Sequence, residues 1–231
     1  MCINTSNLGA KSWRPENRTK TTASCFQTSA EWFEELKMKL KTVKDEMLRK
    51  LGRNLLHFQQ LEKILKFLVI NGEISGNVSN MKQNQLKRSE SVGKQTLGMV
   101  AGQFFEQNQS DLENDDPMPI ESQKPYLRVR FQFDTENPDP EGKVEALSRL
   151  VAARNELVHH ILDRVDLKSK QSLIDTNDHL DKQRDNINLE LDYYRDLVAS
   201  LHEGRRQCSE LLMSDEFGNL LMGKNESPKG N

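Results

Sequence analysis

Three polar side chains in the second half of the sequence have the types and the spacing that a small catalytic site needs. Arg154, Asn155 and His159 lie within Val144–Val165, where apolar residues recur at helical spacing. On a helix that turns roughly 100° per residue, Asn155 and His159 are one turn apart and can meet directly. Histidine can move a proton near neutral pH, and arginine can hold an anion. A lone helical histidine is more often a solvated side chain, which is how we interpret the neighbouring His160.

Arg154 occupies an unusual place for a charge, the middle of the apolar stripe of this helix. Three interpretations are open. Arg154 pairs with a buried carboxylate from another helix, or its stem lets the guanidinium reach solvent past the edge of the stripe, or the stripe is a subunit interface with a polar cleft. The first two give Arg154 only a structural role. The aliphatic residues within roughly 80° of Arg154 around the helix axis are Leu147, Leu150, Val151, Leu157, Val158, Ile161, Leu162 and Val165.

The run Arg154-Asn155-Glu156-Leu157-Val158-His159 resembles the Arg-polar-xxx-His motif of the HEPN (higher eukaryotes and prokaryotes nucleotide-binding) superfamily. A second segment, Leu48–Leu56 with its continuation to Lys66, is similar to the first long helix of the HEPN-like region of bacterial OST-HTH/LOTUS proteins. The segment Leu157–Leu167 resembles the same group, and the similarity covers residues 30–200. No recognisable LOTUS module follows the helices.

The resemblance implies a mostly α protein, a HEPN-like antiparallel helical bundle with a small β insertion. It also implies an endoribonuclease that needs neither metal nor cofactor and whose site forms at a homodimer interface. There His159 would act as base or acid, Arg154 would bind the phosphate in a bidentate manner, and Asn155 would orient His159 or the phosphate. Each protomer would supply one histidine of the acid–base pair. Ile161 stands where HepT-type toxins have a tyrosine, so regulation by tyrosine modification has no support.

The wider role that this resemblance implies is that of a toxin or a phage-defence effector, with RNA as substrate and a cognate antitoxin or defence partner. The alternative is a non-catalytic HEPN dimer that binds RNA or a partner protein as a scaffold. Arg128 and Arg130, on one face of an expected strand, are candidate contacts to the RNA backbone. A solvated edge strand carries such charges as well, so a structural interpretation stays open for both.

Composition excludes several classes of protein. The chain has 231 residues, of which 35% are hydrophobic, and its 33 Lys and Arg balance 35 Asp and Glu. This balance excludes a globally basic nucleic-acid binder, so any RNA contact must come from a local patch. The most apolar run, residues 64–70, contains Lys66 and is far shorter than the roughly 20 residues of a membrane span. The three cysteines are scattered, which indicates a reducing compartment and by default the cytoplasm.

The pattern predicts one helical domain, residues 29–203, between a flexible N-terminal segment, residues 1–28, and a C-terminal extension or tail, residues 204–231. Loops are expected at 72–91 and 108–125, and alternation predicts a strand over 126–134 whose partner the sequence does not show. Helices are expected at 29–69 with Ser29 as N-cap, at 94–107, from Pro140 to Val165, and at 170–202, where Gly204 ends or weakens the last one.

Three other patterns do not qualify as sites. Gly93-Lys94 lacks the upstream glycine, the following Ser or Thr and the preceding strand of a phosphate-binding loop. The run Arg53–His57 imitates the motif, but its histidine is one residue closer to the arginine, and we interpret His57 as structural or supporting. The acidic stretch Asp111–Asp116 lacks the spacing and the glycine of a calcium loop. No histidine and carboxylate spacing predicts a zinc site.

Overall fold

The structure, a computed structural model, describes residues 19–77, 79–109, 126–133 and 140–223. Over these ranges the chain is mostly helical with one small two-stranded sheet, which confirms the mostly α class and the small β insertion. Among the described residues, no helix is long and apolar enough to cross a membrane. In chain order the elements are α1 (Thr19–Asn71), β1 (Glu73–Asn77), α2 (Met81–Gly93), α3 (Leu97–Gln109), β2 (Tyr126–Arg130), α4 (Pro140–His159), α5 (Ile161–Arg164), α6 (Lys170–Leu212) and α7 (Asp215–Leu221).

The two longest helices, α1 and α6, lie side by side and run parallel. Near one end, Asn177 Nδ2 donates a hydrogen bond to the carbonyl oxygen of Val43 at 3.2 Å. Near the other end, Arg205 Nη1 donates to Asn71 Oδ1 at 2.7 Å. The antiparallel arrangement expected for the bundle is therefore wrong for this pair. The helices α2, α3 and α4 lie between α1 and α6 in the chain. If the short α5 is left out, α6 is the fifth helix and runs in the same direction as the first.

The helix that carries the candidate site, α4, runs antiparallel to α6. Lys143 near its start pairs with Glu190 at 3.2 Å. Glu156 near its end lines the same groove as His179, which lies three turns earlier on α6. The end of α4 therefore lies beside the beginning of α6, at the level where Val43 of α1 meets α6.

The core is mostly aliphatic and lies between α1, α3, α4 and α6. Leu61 and Leu65 of α1 are completely buried, as are Leu147 of α4 and Ile187 of α6. Apolar residues at steps of three and four face this core, which is the spacing that defines the inner side of an amphipathic helix. The largest buried aromatic side chain, Tyr194, packs its ring edge-on against a phenylalanine of α3.

The strand predicted over 126–134 finds its partner in a segment that the sequence assigned to a loop. β2 pairs antiparallel with β1, with Glu73 opposite Arg130 and Asn77 opposite Tyr126. The expected loop at 72–91 is therefore wrong, because it contains β1 and α2. Both escaped detection because β1 is short and polar, and α2 buries only Val92. Regular structure in β2 ends at Arg130, while Asp134 lies outside the described residues.

The helix expected from Pro140 to Val165 begins as predicted but breaks at His160. The backbone of His160 has φ −127° and ψ −2°, and a short α5 follows in a new direction. Val165 therefore does not continue the stripe of α4, and Leu162 on α5 is 70% exposed. The break lets the chain turn into α6, whose start agrees with the prediction, since Ser169 caps it by accepting a hydrogen bond from Ser172 N.

Gly204 does not end the last helix, so most of residues 204–223 in the expected C-terminal extension or tail are helical. α6 continues to Leu212, and α7 follows. A Cβ atom at Gly204 would lie 3.3 Å from Cδ1 of Phe131, so the glycine lets the chain after β2 approach the helix closely. Residues 224–231 lie outside the described residues.

The N-terminal boundary also differs from the prediction. α1 begins at Thr19 rather than after Ser29, so residues 19–28 of the expected flexible segment are helical. A serine caps a helix only where the chain before it leaves the helical conformation, and here the helix runs through Ser29. α3 runs from Leu97 to Gln109, so it starts three residues later and ends two residues later than expected. Residues 1–18 and 110–125 lie outside the described residues.

Candidate functional site

The candidate site lies on the last two turns of α4. Leu150 and Leu157 are 5% and 3% exposed, and they fix this part of the helix against the core. Arg154 lies between them along the helix and is half-buried, whereas Asn155 and His159 are exposed. Because α4 ends at His159, the three polar residues lie at a helix end that is open to solvent.

Arg154 is not paired with a carboxylate. Its Nη1 donates to Oδ1 of the adjacent Asn155 at 3.1 Å. Within the described residues, no Asp or Glu oxygen lies within ion-pair distance of Arg154, so the interpretation as the partner of a buried carboxylate is wrong there. The nearest acid on the same helix, Glu156, pairs with Arg164 of α5. Two of the three interpretations therefore remain for Arg154: its guanidinium reaches solvent past the edge of the stripe, or it lines a polar cleft at a subunit interface.

His159 contacts its neighbour rather than the other two residues of the motif. Its ring lies edge-on to that of His160, with the ring centroids 6.2 Å apart. Among the described residues no hydrogen bond joins His159 to Asn155, although the helical spacing allowed one; the side chain of Asn155 bonds instead to Arg154. His160 lies 3.7 Å from Asp163, which agrees with its interpretation as a surface side chain.

Two grooves of the structure lie away from the three motif residues. One groove of about 600 Å³ between α4 and α6 is lined by Ala153 and Glu156 together with His179. An apolar groove of about 830 Å³ lies between α1, β1 and α2, and Phe67 and Ile74 line it. Neither groove is lined by Arg154, Asn155 or His159. In a single copy the motif therefore lies on an open surface, and a second surface must cover it to form a cleft.

The two candidate RNA-backbone residues are held by a carboxylate. Arg128 Nε lies 2.8 Å from Oε1 of Glu73, and Arg130 Nη2 lies 3.6 Å from its Oε2. A third arginine, Arg88, approaches the same carboxylate at 3.9 Å and donates to the carbonyl oxygen of Val69. Burial lowers the pKa of Arg88, because the charged form loses hydration. This cluster anchors the small sheet to α1 and α2.

The structure does not bring these arginines to the motif. Glu73 follows the end of α1, whereas His159 lies at the level of Val43. The α1 residues between Val43 and Asn71 span about 40 Å at 1.5 Å per residue. Arg128 and Arg130 therefore lie at the opposite end of the bundle from Arg154, and one short RNA segment cannot touch both regions of one copy.

The sequence did not show the partners of the run Arg53–His57 on α1. Asn54 is completely buried and donates to the carbonyl of Leu180 at 2.7 Å and to Oε1 of Gln183 at 2.9 Å. Arg53 donates to Asn54 Oδ1 at 3.1 Å and lies 3.0 Å from Asp181. The only signal in the sequence was polar residues at core positions of two apolar helices, which indicates a shared buried network.

Two ionisable groups of this α1–α6 network have shifted pKa values. A hydrogen bond from Lys50, helped by one from Arg53, lowers the pKa of Asp181. Burial, together with the positive charge of Arg53 and two other arginines, lowers the pKa of His57. His57 thus favours its neutral form inside the fold, which agrees with its interpretation as a structural residue.

Within the described ranges, no group of three or more His, Cys, Asp or Glu side chains is arranged to hold a metal ion. Comparison of the chain with protein-family models, curated proteins and solved structures gives no match.

Proposed function

We propose that this protein is a metal-independent endoribonuclease of HEPN type that acts as a homodimer through Arg154, Asn155 and His159. The observation that carries the proposal is the state of Arg154. It is a half-buried guanidinium on an otherwise apolar helix face, it has no carboxylate partner among the described residues, and it lies on the same helix five residues before an exposed histidine. A charge held in such a place without a protein counterion is suited to an anionic ligand such as a phosphate.

The chemistry follows from the residue types. RNA cleavage without a metal needs a base for the ribose 2′-hydroxyl, an acid for the leaving 5′-oxygen and a cation for the charge on the phosphorane. His159 of one copy takes the proton of the 2′-hydroxyl, and His159 of a second copy protonates the leaving oxygen. Arg154 binds the phosphate oxygens. Asn155 accepts a hydrogen bond from Arg154 through Oδ1. In this proposal Asn155 therefore positions Arg154 and does not itself orient His159 or the phosphate.

The surface around the motif supports a site shared by two copies. Val158 on α4 is 44% exposed and Leu162 on α5 is 70% exposed, on either side of His159 in the sequence. Apolar side chains beside an open polar site are typical of a surface that a partner covers. One copy presents a single imidazole, so the second member of the acid–base pair comes with the second copy.

The cellular role in this proposal is that of a cytoplasmic toxin or phage-defence effector that a cognate antitoxin or defence partner controls. A second candidate function is a non-catalytic dimer that binds RNA or a partner protein as a scaffold. One observation favours it. The ring of His159 lies against His160 and not against Arg154 or Asn155, so a single copy does not hold the catalytic groups together.

The test is incubation of the purified protein with a defined RNA in the presence of EDTA. We expect cleavage that survives EDTA and leaves a 2′,3′-cyclic phosphate or 3′-phosphate, because the 2′-oxygen is the nucleophile. His159→Ala should abolish cleavage, while the matched variant His160→Ala should retain it. RNA binding without cleavage would favour the scaffold. Loss of activity in EDTA with rescue by a divalent ion would contradict the mechanism.

A further inference from the structure

An apolar groove of about 830 Å³ lies on α1 at the end of the bundle where the chain turns from α1 into β1. α2 forms its second wall and runs antiparallel to α1, because Lys66 donates to the carbonyl oxygen of Gly93 and Gln85 donates to that of Ile70. The apolar residues of the lining are Phe67, Ile70, Ile74, Met81 and Leu86. We refer to this space as the α1–α2 groove.

The size of the α1–α2 groove suits a small molecule better than a partner protein. Binding sites for small molecules are concave, mostly apolar and roughly 300–1,000 Å³ in volume. The lining residues of α1 run from Lys63 to Asn71, a length of about 12 Å at 1.5 Å per residue. A helix of a partner protein would contact the groove over about two turns. That contact is far smaller than the roughly 20–30 residues that each partner contributes to a stable protein interface.

The amide side chains that line the groove already donate hydrogen bonds within the fold. Gln85 Nε2 donates to the carbonyl oxygen of Ile70 at 2.7 Å, and Asn71 Nδ2 donates to that of Phe67 at 2.8 Å. An amide donor that is engaged in this way offers little to a polar ligand, because a new hydrogen bond would replace an existing one. The middle of the groove therefore suits an aliphatic chain.

The end of the groove beside β1 carries two positive charges that lack a carboxylate partner. Lys82, near the start of α2, lines the groove and forms no ion pair with the described residues. Arg205 of α6 is half-buried, and it too forms no ion pair with this part of the chain. Its Nη1 donates to Oδ1 of the lining residue Asn71 at 2.7 Å, which holds the guanidinium at this end of the groove. Two such cations beside an apolar groove attract an anion.

The opposite end of the groove is less favourable for an anion. Lys66 lines that end and pairs with Glu62 at 2.7 Å, so its charge is balanced within the fold. Lys63 also lines that end, and it follows the same acidic residue directly in the chain. The positive charge without a counterion is therefore greatest at Lys82 and Arg205, which gives the groove one cationic end.

We propose that the α1–α2 groove binds a free long-chain carboxylic acid, with the aliphatic chain between Phe67 and Leu86 and the carboxylate at Lys82 and Arg205. The chain replaces water on the apolar lining, of which Leu86 is 56% exposed, and the carboxylate supplies the counterion that the two cations lack. The site lies beside β1, at the opposite end of the bundle from His159, so it is independent of the proposed RNA cleavage.

The test is displacement of dansylundecanoic acid, a fluorescent fatty acid, by unlabelled dodecanoate and by dodecanol, which has the same chain without the charge. Dodecanoate should displace the probe at micromolar concentration, far below the concentration at which it forms micelles. Dodecanol should be about tenfold weaker, because it gains nothing from the two cations. A probe that does not bind would overturn the proposal, and equal displacement by the two compounds would refute the role of the carboxylate.

The matched variants are Lys82→Glu and Lys87→Glu. Both lysines are exposed on α2, and both substitutions reverse one charge, but only Lys82 lines the groove. Lys82→Glu should weaken the binding of dodecanoate about tenfold and leave that of dodecanol unchanged, whereas Lys87→Glu should bind both as the wild type does. Both variants should keep the thermal transition of the wild type, because the two side chains lie outside the core. Equal weakening by the two variants would show an effect of net charge alone and contradict the site.

The position of the ligand is tested by NMR of the protein with methyl-labelled methionine. The signal of Met81, which lines the groove, should move when dodecanoate is added. The signal of Met213, which is 84% exposed after the end of α6, should not move. Equal changes at both residues would show that dodecanoate coats exposed apolar side chains in general, and that result would contradict a defined site.

A lipid surface is distinguished from a free acid by sedimentation with phosphatidylglycerol vesicles. We expect the protein to bind free dodecanoate and to remain in solution when the vesicles are pelleted, because the groove is lined on both sides by helices and takes one chain at a time. Sedimentation with the vesicles that Lys82→Glu abolishes, together with no binding of free dodecanoate, would assign the groove to a membrane surface and overturn the proposal.

Discussion

The molecule contains the same polar residues twice, with opposite consequences. On α1, Arg53 and Asn54 precede His57, and Asn54 is completely buried in the contact with α6. On α4, Arg154 and Asn155 precede His159, and the last two are exposed at the end of the helix. The residue types agree, and the spacing differs by one residue. The surroundings differ in every respect that matters for chemistry.

The interaction partners of the two arginines determine what chemistry each set of polar residues can perform. The guanidinium of Arg53 lies 3.0 Å from Asp181, so its charge is used within the fold. The guanidinium of Arg154 reaches only the amide oxygen of Asn155 among the described residues, and its charge is left for a ligand. A catalytic interpretation of the motif therefore depends on which of its residues lack a counterion. The motif alone does not provide that information.

The largest difference in stability is expected between variants of the two asparagines, Asn54 and Asn155. Asn54→Ala removes the donor to Leu180 O and Gln183 Oε1, leaving both acceptors buried without it. We expect a loss of about 2–3 kcal/mol in the free energy of unfolding. Asn155→Ala, at an exposed position, should change it by less than about 0.5 kcal/mol. Urea unfolding of both variants measures the difference, and equal losses would remove the distinction between the two regions.

A smaller effect should appear in acid, where the α1–α6 network weakens. The pKa of Asp181 is lowered in the folded protein, so its carboxylate stabilises the fold above the ordinary value of 3.8 and stops doing so as the pH falls through the lowered value. The free energy of unfolding should therefore fall less between pH 5 and acid in Asp181→Asn than in the wild type. The effect is modest, because Asp181 is 35% exposed. Identical acid dependence in the two proteins would show that Asp181 is not held by Lys50 and Arg53.

The smallest effect is expected for His57, the histidine of the run Arg53–His57 on α1. The pKa of His57 is lowered, so its folded form protonates below the ordinary 6.5, and its contribution to stability falls as the pH drops from 6.5 toward that lower value. An NMR titration should place the midpoint of His57 below 6.5, and Arg195→Gln should move it upward by removing one nearby positive charge. A midpoint at or above 6.5 would contradict a neutral, structural role for His57.

Local features of the sequence predicted the parts of the fold that depend on local chemistry. Apolar residues at helical spacing predicted the start of α6 at residue 170, where the structure shows Ser169 as the cap, because helical spacing and caps involve only neighbours in the chain. The role of Gly204 could not be predicted, since it depends on Phe131 from a distant segment. β1 escaped for the same reason, because its hydrogen-bond partner lies some fifty residues later.

The candidate site divides in the same way. The spacing of Arg154, Asn155 and His159 placed all three on one helix, and the structure agrees. The sequence could not show whether Arg154 has a carboxylate partner, because that depends on which acidic side chains the other helices bring near it. The sequence also could not show that Arg128 is held by Glu73, a residue on a strand that it did not predict.

The most direct test of a ligand-binding Arg154 is the variant Arg154→Leu, measured by thermal unfolding and by RNA cleavage, beside Arg53→Leu. Arg154→Leu should keep its stability within about 0.5 kcal/mol, since no carboxylate is stranded, and should lose cleavage by about 100-fold or more. Arg53→Leu should lose about 1–2 kcal/mol through the broken contact with Asp181. A badly destabilised Arg154→Leu, or one that cleaves RNA at the wild-type rate, would contradict the assignment of Arg154 to the site.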